Sequence, residues 1–521
     1  MRINEALGIA KGNRLVYVPQ RPPGLSQPLP SPTGGWNDRD ALSNMPITDA
    51  VIMDNFFPST SSIDFRRGHA SHATGLGATV ESLIPYNGLS ANSLFGAAGT
   101  NVYDVTSAGA VGAAVLSGKT NARWQYVQMS TAGGDFLFIC NGADTPQTYN
   151  GSTWAASGIT GPTIANLIWC NVFQRRLFVG EKNSLKFWYG AAAAIGGAFS
   201  SFNLGEIATK GGYIMGMGTW SRGAAGIDDL AVFVTSEGQA IIYQGSDPSS
   251  GTWFLLGQFD IGKPIGRRFF VKTSSDLILV TQDGVTPLST TLPVDRAQAQ
   301  RVTLSAKINN AFNQSARDTG STFGWQPFLY PRGAALFINV PTTVSGTLQQ
   351  YVFNTITNAA CRYTGMNAYC WGLLNDDPYF GAASGVVHKA DTGTADNTAN
   401  IQFDVMQAFS YFERPGLAKN YKLVELIFQA SGALNVALDL NVDFNIMAPT
   451  TVSTSTGSAT SLWDVALWDQ GLWGGDSTIF KTWRSVAGYG HSAACRIRIN
   501  TSTISASLMA TDVIYEPGGY L

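Results

Sequence analysis

Short apolar runs recur in pairs along this chain, the two members of each pair separated by a glycine or a polar turn. The first four are Leu94-Phe95 with Val102-Tyr103, Phe136-Leu137-Phe138 with Thr148-Tyr149, Leu177-Phe178-Val179 with Phe187-Trp188-Tyr189, and Val232-Phe233-Val234 with Ile241-Ile242-Tyr243. Three more follow: Leu277-Ile278-Leu279 with Thr286-Pro287-Leu288, Leu336-Phe337-Ile338 with Tyr351-Val352-Phe353, and Tyr379-Phe380 with Val386-Val387-His388. Runs this short, rich in aromatic and β-branched residues and bounded by turn formers, predict β-hairpins.

Anchored on Phe95, Phe138, Phe178, Phe233, Leu279, Phe337 and Phe380, the hairpins are spaced by 43, 40, 55, 46, 58 and 43 residues. Propeller blades repeat at about 40–50 residues. A further apolar run precedes most anchors, at 124–128, 168–173, 268–272, 326–330 and 368–372, and supplies a third strand of a four-stranded blade. The pattern therefore predicts an all-β chain with a six- or seven-bladed β-propeller over 80–393, the count depending on whether one repeat belongs to a flanking element. The longest spacing contains RAQAQRVTLSAKINNAFNQSAR at 296–317, between Pro293 and Gly320. Val302, Ala306, Ile308, Ala311 and Phe312 share an apolar face there, which predicts one inserted helix. It would either pack on the rim or touch a neighbouring subunit.

Beyond the repeats the texture changes. Over 434–444, Leu434, Val436, Leu438, Leu440, Val442 and Phe444 alternate with Asn435, Ala437, Asp439, Asn441 and Asp443. Strict alternation predicts a half-buried antiparallel strand. Arg496-Ile497-Arg498-Ile499-Asn500 repeats it with charged outward positions, so 394–521 is expected to be a separate β-sandwich-like unit. At the other end, Pro19, Pro22, Pro23, Pro28, Pro30 and Pro32 crowd into 18–35. Proline fixes φ and removes a donor, which predicts an extended arm over 1–35, either a loose tail or a clasp on a neighbouring subunit. Residues 36–79 are expected to be a further β segment.

Composition narrows the function. Of 521 residues 45% are apolar but only 13% charged, about half the usual share, and 57 are glycine. A net charge of −2 leaves no basic footprint for gripping phosphates, although a weakly charged surface suits a passage that must not retain DNA. No apolar run approaches the roughly 18–20 residues of a membrane span, and the opening 1–11 lacks a secretory core. Cys140, Cys170, Cys361, Cys370 and Cys495 are scattered and unpaired in pattern, as expected of reduced, partly buried thiols in a chain made in the cytoplasm.

Candidate chemistry is sparse. His69 and His72, near Asp54 and Asp64, match no metal pattern and read as exposed turn residues. His388 and His491 accompany no nucleophile elbow, and Gly75-Leu76-Gly77 is no dinucleotide loop. The carboxylate pairs Asp228-Asp229 and Asp376-Asp377 fall in predicted turns, where aspartate is a routine turn former. No catalytic residue, metal or cofactor is expected. Trp463, Trp468 and Trp473 recur every five residues, with Trp483 following. Exposed tryptophans can stack on sugars, but regular spacing in a Gly/Asp loop better suits anchors at a subunit interface. Pro22, Pro23, Pro28, Trp463, Trp468 and Trp473 are thus the candidate interface residues.

Three stretches carry a family resemblance. In 34–74, Asn55-Phe56-Phe57-Pro58 followed by Arg66-Arg67-Gly68 resembles the opening of the tail nozzle proteins of short-tailed bacteriophages, also called tail tubular protein B or packaged-DNA stabilisation proteins. The tryptophan ladder and the closing Glu516-Pro517-Gly518-Gly519-Tyr520-Leu521 are similar to the far end of those proteins. The resemblance implies a non-enzymatic virion protein, a ring of six copies beneath an adaptor ring. Such a ring retains packaged DNA and then conducts it towards the host envelope. It also implies that the two terminal segments, 36–79 and 394–521, fold together as a platform. The rival readings are a carbohydrate- or receptor-binding propeller and a glycan hydrolase using paired acids.

Overall fold

Every one of the seven apolar anchors lies in the second strand of its own antiparallel sheet and is buried there. The computed structural model describes residues 9–10, 15–16, 24–221, 229–273, 276–294, 296–449, 453–455 and 478–520. The first strands of the seven sheets are Val80–Asn87, Gln125–Thr131, Leu167–Phe173, Ile214–Ser221, Phe270–Lys272, Gln326–Tyr330 and Cys370–Leu374. Each touches the next in that order, and the seventh touches the first. The sheets therefore close as a seven-bladed propeller, which resolves the choice between six and seven.

Second strands such as Ala335–Pro341 are buried at all positions, because each blade is covered on both faces by its neighbours. That is why the sequence shows continuous apolar runs instead of alternation. Phe178 and Phe187 of blade three, for example, share a cluster with Phe233 and Tyr243 of blade four, and the Phe187 and Phe233 rings stack at 4.5 Å.

The ring is fastened by a strand from far upstream. His69–Thr74 pairs antiparallel with Val387–Ala390 and completes the seventh blade. The propeller is therefore not confined to 80–393, and 36–79 is not wholly platform. Sequence separation hides such a pairing, since nothing local distinguishes a closing strand from any other.

The platform is built from both terminal segments. One sheet runs Thr478–Gly490, Leu417–Ala430, Ala506–Tyr520, Ile63–Phe65 and Phe56–Pro58, with Leu25–Pro30 also on Ala506–Tyr520. The other contains Asp49–Asp54, Ile401–Gln407, Ala493–Thr501 and Ala437–Val442. Val424, Leu426, Leu508 and Val513 of the first share a core with Phe403, Val405, Ile497 and Ile499 of the second. The second sheet also continues into blade six through the bridge between Arg362 and Asp54.

Three local expectations need revision. The helix near 296–317 is broken into Arg296–Val302, a 3-10 turn at Leu304–Ile308, and Asn309–Thr319. Ile308 and Phe312 are buried as expected, whereas Val302 is exposed. The break lets Ser305 Oγ accept a hydrogen bond from the Val285 amide at 3.0 Å, so the insertion takes the place of a fourth strand beside blade five. Its other side meets the platform, with Lys307 Nζ donating to Gly34 O and Asp49 Oδ1. Next, the strand expected over 434–444 spans Ala437–Val442, and Asn441 on its polar face is buried, donating to Met406 Sδ. Finally, Arg496 and Arg498 do not point freely outward; both donate to Asp404 on the neighbouring strand.

Candidate functional site

The motif that carries the family resemblance is a single hydrogen-bonded junction. Asn55 adopts a left-handed φ of 63° between two strands, a conformation asparagine tolerates better than most residues. Its Oδ1 accepts from Arg66 Nε at 2.8 Å and from the Thr364 amide at 2.9 Å, while its Nδ2 donates to Gln402 O at 2.7 Å. Arg66 completes its set by donating to Arg67 O, Thr364 O and both oxygens of Asp396. Beside it Gly68 lies against the chain, where a Cβ would sit 1.9 Å from Ala395 O. The three motif residues thus tie the closing strand to blade six and the platform.

His69 starts that closing strand. It is buried, and its Nδ1 lies 3.1 Å from Asp396 Oδ1, while His388 packs edge-on against it at 4.9 Å between ring centres. His72 donates from Nε2 to Val105 O. The expectation of exposed turn histidines is therefore corrected: both are strand residues, and the partner of His69 is an aspartate 327 positions away. Asp54 is held by Arg362 through two bonds, and Asp64 accepts from Ser62 at 2.8 Å and from Ser59. Among the described residues no cluster of three or more His, Cys, Asp or Glu side chains is disposed to hold a metal.

The two members of the pair Asp376-Asp377 are engaged separately. Asp377 is bound by Arg332 and Lys389, whereas Asp376 sits in a turn with φ 63° facing the propeller axis. Asp228 lies outside the described residues, and Asp229 accepts from Ser221. All five cysteines are free, and burial pushes the Cys370 and Cys495 thiols up to about 12.

Of the expected interface residues, Pro22, Pro23, Trp463, Trp468 and Trp473 lie outside the described residues. Pro28 is in the strand Leu25–Pro30, which pairs with this chain's own Ala506–Tyr520. Prolines there blunt one edge of the platform sheet, because they remove donors from the outer side. Among the described residues, the opposite edge carries no further strand. Thr478–Gly490 pairs, among the described residues, only with Leu417–Ala430. Its outward side chains include Ile479, Trp483 and Tyr489, which are 69%, 47% and 60% exposed.

The propeller axis is concave at both ends. A cavity of about 930 Å³ is lined by first-strand residues of five blades, and a smaller one of about 290 Å³ opens at the other end. Arg268 separates them. It crosses the axis from blade five, donating to Glu81 O at 2.9 Å, Ser82 Oγ at 2.5 Å, Trp124 O at 3.1 Å and Gln326 Oε1 at 3.4 Å. All four acceptors are uncharged, and burial pushes its pKa below the ordinary arginine value. The Glu81 carboxylate is taken by Arg123, whose guanidinium also lies 4.4 Å from the Phe323 ring centre. Neither the axial arginines nor Asp396 stood out in the sequence, since a single charged residue next to a strand carries no positional signal.

No family model and no curated protein matches the chain. Among solved structures it is similar to BBS1N in complex with ARL6DN, at 10% identity over 64% of this chain and 99% of that one, with a TM-score of 0.40. A quinonprotein alcohol dehydrogenase-like protein from Bacteroides thetaiotaomicron is similar at 10% identity over 60% and 68%, with a TM-score of 0.34. Chaetomium thermophilum Raptor is similar at 9% identity over 63% and 29%, with a TM-score of 0.38. The propeller assignment rests on the closed ring of strands itself.

Proposed function

We propose that this protein is a non-enzymatic structural subunit of a short-tailed bacteriophage tail, assembling with copies of itself as a nozzle ring through which the genome leaves the virion. The observation that carries the reading is the platform edge that no described strand covers. A 13-residue strand with Ile479, Trp483 and Tyr489 exposed on it is a surface that soluble monomers avoid leaving uncovered. It lies directly after the tryptophan ladder in sequence. The Asn55–Arg66–Gly68 junction adds support, because the residues that carry the resemblance to nozzle proteins are those that join propeller to platform. Six copies, an adaptor ring as neighbour and DNA as transient cargo follow from the resemblance. Electron microscopy of the purified chain tests the proposal: sixfold rings with an axial hole are expected, and a monodisperse monomer at micromolar concentration overturns it.

A further inference from the structure

The larger axial cavity combines three kinds of side chain that no structural role absorbs. Arg267 and Lys272 line it, and neither makes an ion pair or hydrogen bond among the described residues. Together with Arg268 they face one carboxylate, Asp376, so the cavity wall carries an excess of two positive charges in a chain whose net charge is −2. The side-chain amides of Gln125 and Asn87 also project there without partners. Tyr126 also lines the cavity and is 39% exposed.

Arg267 and Lys272 are exposed within the open mouth of the cavity, so their charges meet solvent and can be reached by a ligand. Partial burial still lowers the pKa of Arg267, and full burial that of Arg268. Arg268 is engaged by its four acceptors, so an incoming anion would meet the free guanidinium of Arg267, which matches the two oxygens of a carboxylate or phosphate, with the Lys272 ammonium beside it. Free amides and an open aromatic face add what a hydroxylated ring requires: donors and acceptors at its edge and a flat surface beneath it.

We propose that the propeller axis is a binding site for an anionic sugar, its carboxylate or phosphate held by Arg267 and Lys272 and its ring placed on Tyr126 beside Gln125 and Asn87. The site is separate from the platform edge and does not depend on the chain being a nozzle. About 930 Å³ admits one or two sugar units. The acidic unit can come from a uronic acid or from a sugar phosphate, and both present the same oxyanion on a hydroxylated ring.

Calorimetric titration of the full chain with glucuronate, glucose 6-phosphate, glucose and inorganic phosphate tests this. Binding of glucuronate or glucose 6-phosphate, at least tenfold tighter than glucose, is expected, and the better of the two identifies the oxyanion. Arg267→Gln should weaken that binding tenfold or more, Arg267→Lys less, and Lys263→Gln, at an exposed ion pair with Glu237 away from the axis, not at all. An unchanged melting temperature for Arg267→Gln shows that the loss is local. Inorganic phosphate binding as tightly as the sugar phosphate overturns the sugar assignment. Absence of binding by every anion, or binding indifferent to Arg267, overturns the site.

Discussion

Arg66 and Asp396, 330 positions apart, meet in a two-bond ion pair of 2.9 and 2.6 Å at the seam between the closing strand and the platform. The Arg66 side chain is 1% exposed and that of Asp396 11%. A pair this buried is weak evidence of net stability, but removing one partner strands the other charge. Arg66→Ala should therefore destabilise the protein by about 3–5 kcal/mol. Arg66→Lys should recover only part of that, because an ammonium cannot serve Asn55, Thr364 and both Asp396 oxygens from a planar fork. Denaturant titration of both variants measures the difference.

Gly68 makes the same seam sterically exacting. A Cβ there would meet Ala395 O at 1.9 Å, with the Ala395 carbon at 2.4 Å, both backbone atoms. Gly68→Ala should cost about 1–3 kcal/mol, as overpacking does elsewhere. Limited proteolysis should show earlier cleavage near 390–398 in that variant than in the parent, and identical digestion patterns would count against the close approach.

Acid should loosen the propeller closure. Burial, together with the neighbouring His69, lowers the pKa of His388 from 6.5 to about 4, and Nδ1 of His388 has no partner. Asp396 is held below the usual carboxylate value: burial acts to raise it, but the bonds from Arg66 and His69 outweigh that. Both depressed groups bind fewer protons folded than unfolded. The His388 contribution is complete above pH 6.5 and is lost as pH falls towards 4; that of Asp396 is lost at lower pH. The His388 ring borders an accessible pocket, so its share is about 2 kcal/mol rather than the full value of the shift. His388→Gln should flatten the melting temperature between pH 6.5 and 4, and an unaltered slope would refute the assignment.

Assembly should depend on the Thr478–Gly490 edge. Trp483→Lys combined with Tyr489→Lys places like charges on a strand whose outer side chains are exposed, a device that prevents edge pairing. Light scattering should report monomers, while the melting temperature of the subunit moves by less than about 1 °C per few tenths of a kcal/mol of surface change. The double variant Trp468→Ala with Trp473→Ala should weaken assembly as well. Rings that survive both sets of substitutions would remove the edge from the interface.

By itself the sequence determined the blades. Their period, the anchors from Phe95 to Phe380 and the continuous apolar second strands follow from burial on two faces, which any strand in such a ring must satisfy locally. It also carried the junction motif, Asn55, Arg66 and Gly68, though not the reason for it. Tertiary structure alone decided what depends on distant partners: that His69–Thr74 closes the ring, that Leu25–Pro30 lies on the chain's own last long strand, and that Arg66 and His69 converge on Asp396. Only the closed ring could set Arg267 and Lys272 of blade five in one cavity with Tyr126 of blade two and Asp376 of blade seven, because hydrophobic periodicity records which residues avoid water and is silent on which polar residues will face each other across a cavity.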